Sequence, residues 1–225
     1  MIERELPAGE GLVAQVRCTD SGDGDFHIDA EPSGLRRRRR DVAPGSWSWL
    51  RQVHGSRVVR VESAGDRAGA EADASATSSI GAVLVVQSAD CAPVVLVNEG
   101  AIAVAHAGWR GLVAGVVART IMEVRCLGEG PVRALIGPVI RPRGYEFGLD
   151  ELDRVVAEVG EEARSVTASG RPALDLAAAV TSVLAAAGVE DVVDLGIDTS
   201  DPAWFSHRTR GDTGRQVTAV WLERR

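Results

Sequence analysis

The residues of this sequence best suited to chemistry are Cys91 and His106, which stand at the two open ends of a predicted β-hairpin. Val94 to Val97 and Ile102 to Ala105 are apolar runs of strand length, and the turn-forming pair Glu99-Gly100 lies between them. This pattern indicates two antiparallel strands joined by a tight loop. A thiol and an imidazole on neighbouring strands are suited to binding a metal ion, or to acting as a nucleophile and its base.

The register of this hairpin decides whether the two side chains meet. A two-residue loop pairs Asn98 with Ala101, and counting back pairs Pro93 with His106. Cys91 lies two residues before Pro93, so its side chain is expected on the same face as that of His106, at a backbone separation of about 7–8 Å. Both groups can then reach one Zn²⁺, whose bonds are about 2.0–2.3 Å long. The alternative is that both are ordinary core residues, and Pro93 lacks an N–H for the ladder and would disturb the register.

The residues after His106 predict a helix whose first turn suits an anion. The segment Gly108-Trp109-Arg110-Gly111 leads into apolar residues at a helical period, which are Leu112, Val113, Val116, Val117, Ile121 and Val124. A helix N-terminus offers free N–H groups and a partial positive charge, and Arg110 adds a forked donor for phosphate. The alternative is that the glycines only permit close packing and that Arg110 is solvated.

A third metal ligand is needed to complete a catalytic zinc site, which usually has three protein ligands and one open position. His54 precedes Gly55 at a predicted turn, so its ring is able to face a cleft. Asp73 and Asp90 are candidates for orienting a ligand histidine or for transferring a proton. Each of these residues also has a structural interpretation, as a core histidine or as an aspartate that caps a turn.

Three further positions are candidates for substrate binding. Tyr145 is the only tyrosine and lies at a predicted turn, where it would stack on a planar base or pack in the core. His207 and Arg208 lie beside the turn Arg210 to Arg215 and suggest anion binding, with a solvated loop as the alternative. His27 has no visible partner and is expected on the surface.

Composition excludes several classes of protein. The chain has 225 residues and a formal net charge of −7, and all 25 of its basic residues are arginine. Without lysine there is no Schiff-base, pyridoxal phosphate or Walker lysine. Net acidity argues against nucleic acid as a partner. The run Arg36 to Arg40 is expected to be a solvated face or a helix start, with phosphate contact as the alternative.

Cysteine usage and hydropathy suggest a cytoplasmic protein. Cys18, Cys91 and Cys126 are too few and too scattered for a disulfide framework, and Cys126 is expected to pack at the end of its helix. The N-terminus does not resemble a signal peptide. No apolar run approaches the ~18 residues of a membrane span, so no membrane partner is expected.

The predicted elements favour one compact α/β domain with mixed strand directions over residues 1–225, because no repeat or low-complexity linker divides the chain. Helices are predicted at Leu149 to Glu162 and at Leu174 to Ala187, the second ending at Gly188. Strands are predicted at Leu12 to Val16, Arg57 to Glu62, Ala82 to Val86, Val132 to Ile136, Asp191 to Ile197 and Val217 to Leu222.

Several motifs occur here in the order seen in the YfiH family. They are RQVHG, the Asp-Ala segment at Asp73, SADCAP, VAHAGWRG, IGP followed by YEFG, and WFSHR, TGRQ and VWL near the end. The chain resembles this family from Trp49 to Leu222, whereas residues 1–47 match poorly. The family has been called multicopper polyphenol oxidase or laccase and peptidoglycan editing factor, and it is associated with zinc-dependent purine nucleoside phosphorylase and adenosine deaminase activity.

The resemblance implies an α/β (α+β) domain of layered mixed β-sheets with flanking helices, as a monomer or small homo-oligomer. It implies that His54, Cys91 and His106 hold Zn²⁺, which lowers the pKa of a coordinated water to about 7 and suits deamination of adenosine at C6. In phosphorolysis of a purine nucleoside such as adenosine or inosine, Arg110, His207 and Arg208 would neutralise the attacking phosphate. Asp73 or Asp90 would protonate the leaving purine, and Gln52 and Tyr145 would contact the substrate.

The sequence departs from the family pattern in three places. The segment Val16 to Asp20 differs from the Phe-Thr-Thr-Arg-like strand of the family, so an expected N-terminal arginine is missing. Thr209 follows Arg208 where the family often has a second arginine, and Asp198 replaces a cysteine that is common in the family. Phosphate affinity and substrate choice are the properties that these changes affect.

Two other functions remain open from the sequence. Cys91 and His106 suit a cysteine hydrolase acting on amide or peptidoglycan-like substrates, and a closed zinc site would suit a non-catalytic regulator of cell-wall assembly. Copper is a weaker candidate, because four histidines in the whole chain cannot supply a multicopper cluster.

Overall fold

A computed structural model describes residues 1–225 of the chain. The strands are β1 (Ile2–Pro7), β2 (Leu12–Cys18), β3 (Trp47–Arg51), β4 (Val58–Arg60), β5 (Ala70–Glu71), β6 (Ala74–Thr77), β7 (Val83–Ser88), β8 (Ala92–Glu99), β9 (Ala101–Ala107), β10 (Glu129–Ile136), β11 (Arg164–Val166), β12 (Pro172–Leu174), β13 (Asp191–Asp194) and β14 (Gln216–Arg224). The helices are α1 (Pro32–Val42), α2 (Trp109–Val113), α3 (Val116–Leu127), α4 (Leu149–Val159), α5 (Leu176–Ala186) and α6 (His207–Arg210).

Twelve of the strands form two six-stranded sheets of mixed direction. The first sheet has the order β1-β2-β14-β7-β3-β5, and the second has the order β13-β10-β8-β9-β6-β4. Strands β3 and β7 are parallel, as are β10 and β13, whereas β14 is antiparallel to both of its neighbours. The predicted α/β (α+β) class with layered mixed sheets is confirmed.

The sheets and helices are stacked in layers because both faces of each sheet are apolar. A cluster that includes Leu84 and Val86 of the first sheet and Val95 and Val104 of the second fills the space between the sheets. The opposite face of the second sheet packs against α2, α3 and α5, and α4 packs on α2 and α5. The opposite face of the first sheet is covered by α1 and Phe26. This burial of both faces explains why β8 and β9 are continuous apolar runs with no polar alternation.

The β8–β9 hairpin has the predicted register. Asn98 pairs with Ala101 and Pro93 pairs with His106, so the proline does not shift the ladder. Gly100 has a φ of 88°, which glycine adopts at no steric cost. His106 therefore lies on the same strand face as Val104, in the space between the two sheets and at its open end.

The predicted single helix after His106 is divided in two. Helix α2 ends at Val113 and α3 begins at Val116, with Gly115 in the left-handed region between them. Leu112 packs from α2, and Val116, Val117, Ile121 and Val124 pack from α3. The expectation of one uninterrupted helix was wrong because Gly115 has a φ of 86°, which is incompatible with a continuous α-helix and which glycine adopts without steric cost.

The other predicted elements are present with shifted ends. Helix α4 ends at Val159 before Gly160, and α5 begins at Leu176 because the side chain of Asp175 caps it. The run Arg36 to Arg40 lies in the middle and the last turn of α1, so it is not a helix start, and Arg36, Arg37 and Arg40 are exposed as a solvated face requires. Cys126 is exposed, so the prediction that it packs at the helix end was wrong. None of the helices is long and apolar enough to span a membrane.

Candidate active site

A cavity of about 430 Å³ opens at the edge of the space between the two sheets. Its lining includes all four histidines of the chain, His27, His54, His106 and His207, together with Cys91. Residues 50–54 reach it from the end of β3, residues 87–91 join β7 to β8, and residues 106–110 join β9 to α2. The connections of both sheets therefore meet at this cavity.

His54, Cys91 and His106 form a cluster of three donor groups. One potential ligand atom from each residue lies within 4.8 Å of the other two, and the Cys91 sulfur is 3.9 Å from Nε2 of His54. The two imidazole rings meet edge to face, with centroids 4.9 Å apart. Tetrahedral bonds of about 2.0–2.3 Å to one ion separate its ligand atoms by about 3.3–3.6 Å, so the observed spread is close to that of a shared ion.

Asp73 connects the two histidines of this cluster. Its carboxylate lies 3.0 Å from Nδ1 of His106, and its carbonyl oxygen accepts the His106 N–H at 2.7 Å. The same carboxylate accepts the main-chain N–H groups of Val53, His54 and Gly55. His54 has a φ of 57°, a strained conformation that these three hydrogen bonds stabilise. Because Nδ1 of His106 donates to Asp73, Nε2 is the atom left to bind a metal.

The charges in the cluster favour a thiolate. Burial opposes ionisation of the Cys91 thiol, but the facing rings of His106 and His54 outweigh it and lower the pKa of this thiol to about 6. Burial also opposes protonation of His106, but Cys91 and Asp73 outweigh it and raise the pKa of this imidazole to about 9. Without a metal, the Cys91 thiolate and the protonated His106 ring therefore stabilise each other as an ion pair. A metal ion bound here would replace the proton on Nε2 of His106.

Gly108 leaves the room that this cluster needs. A Cβ at this position would lie 2.9 Å from the Cys91 sulfur and 2.9 Å from Cδ2 of His54, which is closer than side chains approach each other. The three donors, the carboxylate behind His106 and the small residue beside them match the requirements of a metal site with nitrogen and sulfur ligands. The residues present therefore fit a bound ion.

Asp90 holds the far wall of the cavity in place. Its carboxylate accepts hydrogen bonds from the hydroxyls of Thr199 and Ser206 at 2.8 and 2.6 Å, and from the Arg208 N–H at 2.7 Å. Its φ is 98°, which is unusual for aspartate. These contacts join the turn before β8 to the start of α6. They place His207 and Arg208 in the same cavity as the His-Cys-His cluster.

The cavity wall is basic. Arg110 stacks on the ring of Trp109 with its guanidinium 4.4 Å from the ring centroid and has no carboxylate within 4 Å in an ion pair. Arg208 stacks on Tyr145 at 4.8 Å and donates to the carbonyl oxygen of Glu146. Tyr145 is buried, and this burial raises the pKa of its hydroxyl. Two stacked guanidinium groups thus face the cavity with donors free for an anion.

Gln52 lies on the cavity wall, where its amide is bonded on both sides to the main chain of Gln87. Its nitrogen donates to the Gln87 carbonyl at 2.7 Å, and its oxygen accepts the Gln87 N–H at 2.8 Å. These two hydrogen bonds join the ends of β3 and β7. They place Gln52 in the cavity as a rigid part of the wall.

His27 was expected on the surface, and this expectation was wrong. It lines the cavity with its side chain 35% exposed. Asp25 fixes its loop by accepting the N–H groups of both His27 and Arg215, and Phe26 is buried against Trp47. Nδ1 of His27 accepts the Asp29 N–H, so Nε2 is its free nitrogen. No sequence motif marks His27, because the contact that places it involves a residue near the other end of the chain.

The fold and the cavity define a layered α/β protein with one His-Cys-His cluster in a basic cavity. The profile of the family described as multi-copper polyphenol oxidoreductase laccase matches residues 17–223. The chain belongs to this family, which is the YfiH family.

Relatives from several bacteria carry the name purine nucleoside phosphorylase. The chain is 35% identical over 208 residues to purine nucleoside phosphorylase Rv2149c of Mycobacterium tuberculosis, covering 88% of this chain and 83% of that protein. It is 40% identical over 188 residues to the Streptomyces coelicolor protein of that name, covering 81% and 77%. It is 33% identical over 228 residues to purine nucleoside phosphorylase YfiH of Escherichia coli, covering 96% and 88%.

Solved structures share the whole fold. The Neisseria meningitidis protein NMB0706 superposes with a TM-score of 0.82 at 28% identity, covering 99% of this chain and 98% of that one. YlmD of Geobacillus stearothermophilus superposes with a TM-score of 0.80 at 27% identity, covering 98% and 94%. The similarity extends over the N-terminal strands, where the family motifs are weakest.

Proposed function

We propose that this protein is a zinc-dependent purine nucleoside phosphorylase. The observation that carries the proposal is the His54-Cys91-His106 cluster in a cavity whose wall presents Arg110 and Arg208. Relatives named purine nucleoside phosphorylase, at 33–40% identity over most of the chain, support the reaction class. The substrates are then a purine nucleoside, such as adenosine or inosine, and inorganic phosphate.

The metal is assigned as Zn²⁺ from the donor set. One thiolate and two imidazoles in a compact cluster suit zinc, and a multicopper centre would need more ligands than the one cluster of this kind in the chain. When bound, the ion supplies a Lewis acid and lowers the pKa of a coordinated water. Asp73 keeps Nδ1 of His106 protonated and its Nε2 directed at the cluster.

Phosphate is assigned to the basic wall. Arg110 has no carboxylate partner and Arg208 is held on the Tyr145 ring, so both can form charge-assisted hydrogen bonds to a phosphate oxygen. These contacts neutralise the charge of the phosphate as it attacks C1′ of the ribose. Tyr145 and Trp109, which also line the cavity, offer apolar contact to the purine and ribose.

Asp73 and Asp90 are assigned positioning roles in place of proton transfer. The Asp73 carboxylate is fully buried and binds three N–H groups and the His106 ring. The Asp90 carboxylate binds two hydroxyls and one N–H group. Groups saturated in this way are poor proton donors to a substrate. The proton for the leaving purine is therefore assigned to His207, which lies on the wall outside the metal cluster.

Adenosine deamination is a second candidate activity of the same cavity. The open position expected in a three-ligand zinc site lets a water reach C6 of adenosine, and no phosphate is needed. The two reactions are distinguishable by their products, since phosphorolysis releases adenine and deamination releases inosine.

The test is chromatographic product analysis of adenosine incubated with the zinc-loaded protein, with and without phosphate. Adenine formed only with phosphate supports phosphorolysis, and inosine formed without it supports deamination. Cys91→Ser should lose both activities. The absence of turnover by zinc-containing protein would sink the proposal and leave the hydrolase or the cell-wall regulator as the better interpretation.

A matched pair of arginine variants tests the phosphate assignment. Arg110→Gln should raise the KM for phosphate at least about tenfold, since one charge-assisted interaction contributes about 1.5–3 kcal/mol. Arg119→Gln, on the exposed side of α3 and outside the cavity, should leave it unchanged. Equal KM values for phosphate in the two variants would show that Arg110 does not bind phosphate.

A further inference from the structure

A second basic cavity lies on the other side of the first sheet. It has a volume of about 570 Å³ and is formed by α1, the start of β3 and the loop 64–68. Its lining includes Arg36, Arg39, Arg40, Ser46 and Trp47. No residue of this lining also lines the cavity with the His-Cys-His cluster, so the two sites are separate.

The positive charge of this cavity is not neutralised by the protein. None of the arginines from Arg36 to Arg40 lies within 4 Å of a carboxylate in an ion pair, although ten arginine–carboxylate pairs form elsewhere in the structure. The chain as a whole carries a net charge of −7. The three arginines of the cavity are thus a local excess of positive charge without a carboxylate in direct contact.

Arg39 is held in a defined place at the base of this cavity. Its guanidinium lies 5.3 Å from the ring centroid of Trp47 and 5.5 Å from that of Trp49, as in cation–π contacts. Its Nε is inaccessible and has no hydrogen-bond partner, and burial lowers the pKa of Arg39. A half-buried guanidinium without a carboxylate is costly to maintain, and a bound anion would offset this cost.

The main chain adds unpaired donors to the same cavity. The N–H groups of Gly45, Ser46 and Gly65, which line it, donate no hydrogen bond within the protein. The two loops that carry them touch, because a Cβ at Gly65 would lie 2.9 Å from the Cβ of Ser46. Free N–H groups beside arginines are the donor set that binds phosphate oxygens.

We propose that this cavity binds a small molecule with two or more linked phosphate groups, such as pyrophosphate or the phosphate chain of a nucleotide. Three guanidinium groups offer more donors than one phosphate can accept, and Arg binds phosphate oxygens in pairs. The cavity is a local pocket and not an extended basic surface. The net negative charge of the chain disfavours a long polyanion such as RNA. Binding here is independent of the metal cluster and of turnover.

The indole N–H signals of the tryptophans provide a test that reports on each cavity separately. Trp47 lines the second cavity and Trp109 lines the first. We expect pyrophosphate, titrated at constant ionic strength into ¹⁵N-labelled protein, to shift the Trp47 and Trp49 signals saturably. Arg39→Gln should weaken this response at least about tenfold, the loss expected for one charge-assisted contact. Arg37→Gln provides the control, because Arg37 is exposed on the same helix but does not line the cavity.

The double variant Arg36→Gln/Arg40→Gln covers the case in which Arg39→Gln disturbs the fold, since both of its residues are exposed. It should also weaken the Trp47 response while leaving that of Trp109 intact. Shifts confined to Trp109, or equal effects of the Arg37 and Arg39 variants, would overturn the proposal. Tighter binding of a single-stranded oligonucleotide than of pyrophosphate at the same signals would also overturn it, in favour of a nucleic-acid site.

Discussion

Oδ1 of Asp73 lies 3.0 Å from Nδ1 of His106, and the same carboxylate binds the N–H groups on either side of His54. One buried side chain therefore orients two of the three candidate metal ligands, one through its ring and the other through its backbone. Residues that orient metal ligands in this way fix the ring orientation and raise the basicity of the ligand.

Asp73→Asn should weaken zinc binding about 10- to 100-fold, the usual effect of losing such a contact. It should also lower the free energy of unfolding by about 2–3 kcal/mol, because an amide cannot accept all of these hydrogen bonds. Chelator competition and urea unfolding measure the two effects. Asp191→Asn, which breaks an exposed pair with Arg133, is the control and should change neither. An unchanged zinc affinity in Asp73→Asn would show that this carboxylate does not support the metal site.

The stability lost in Asp73→Asn should depend on pH. Burial raises the pKa of the Asp73 carboxyl, but the His106 ring and the N–H groups outweigh burial and lower it overall. A carboxyl with a lower pKa in the folded state stabilises the fold above its unfolded pKa of about 3.9, and this contribution disappears as the pH falls. The difference in unfolding free energy between wild type and variant should therefore be largest near neutral pH and shrink below about pH 4. A constant difference would contradict this account.

The three cysteines should differ sharply in reactivity toward iodoacetamide. In metal-stripped protein at pH 7, Cys91 should react fastest, since its pKa of about 6 makes it mostly thiolate. Buried Cys18 should not react, because burial raises its pKa to about 11, and exposed Cys126 should be intermediate. The Cys91 rate should fall below pH 6. Added Zn²⁺ should protect Cys91 alone. Labelling is measured by peptide mass spectrometry, and equal labelling of Cys91 with and without zinc would contradict this prediction.

Gly108→Ala should abolish the metal site and preserve the fold. The backbone at Gly108 has a φ of −80°, which alanine adopts without strain. The added Cβ would nevertheless meet the Cys91 sulfur and the His54 ring at 2.9 Å. We expect a large loss of zinc affinity with an unchanged circular dichroism spectrum and thermal midpoint for the metal-free protein. A variant that binds zinc normally would show that the ligands have more room than the structure gives them.

His27→Ala should affect substrate binding more than folding. The side chain lies on the cavity wall with a free Nε2, while Asp25 and Phe26 hold the loop in place through contacts that the substitution leaves intact. We expect KM for a substrate to rise several-fold, with kcat and the unfolding midpoint nearly unchanged. Glu190→Ala is the control, as Glu190 is exposed outside the cavity. An unchanged KM in steady-state kinetics would show that His27 does not contact substrate.

The parts of the site that depend on local pairing could be predicted from the sequence. The register of Cys91 against His106 follows from a two-residue turn and from strand alternation, and the structure has that register. The third candidate ligand, His54, is implied by the family resemblance and not by local pairing, because its place beside Cys91 depends on how the two sheets stack. Spacing along the chain contains no information about that stacking.

The features that sequence reasoning missed depend on distant contacts. His27 reaches the cavity because Asp25 binds the Arg215 N–H, across 190 residues of chain. The basic run is expected from the sequence to be a solvated face or a helix start, with phosphate contact as the alternative, yet Arg39 contacts the rings of two tryptophans of β3. Helical periodicity alone did not place the break at Gly115. For His27 and Arg39 the deciding partner comes from a distant part of the chain or from another layer of the fold.

The position of β14 inside the first sheet determines the order in which parts of the protein can fold during synthesis. The first sheet cannot be completed before the C-terminal strand has been translated. The Val217 N–H binds the hydroxyl of Thr19 across 198 residues, whereas the candidate metal ligands have all been translated by residue 106. A nascent chain can therefore form the β8–β9 hairpin early, while β2 and β7 wait with unpaired apolar edges until β14 leaves the ribosome. Such edges are prone to aggregation, which makes this late insertion the vulnerable step of biogenesis.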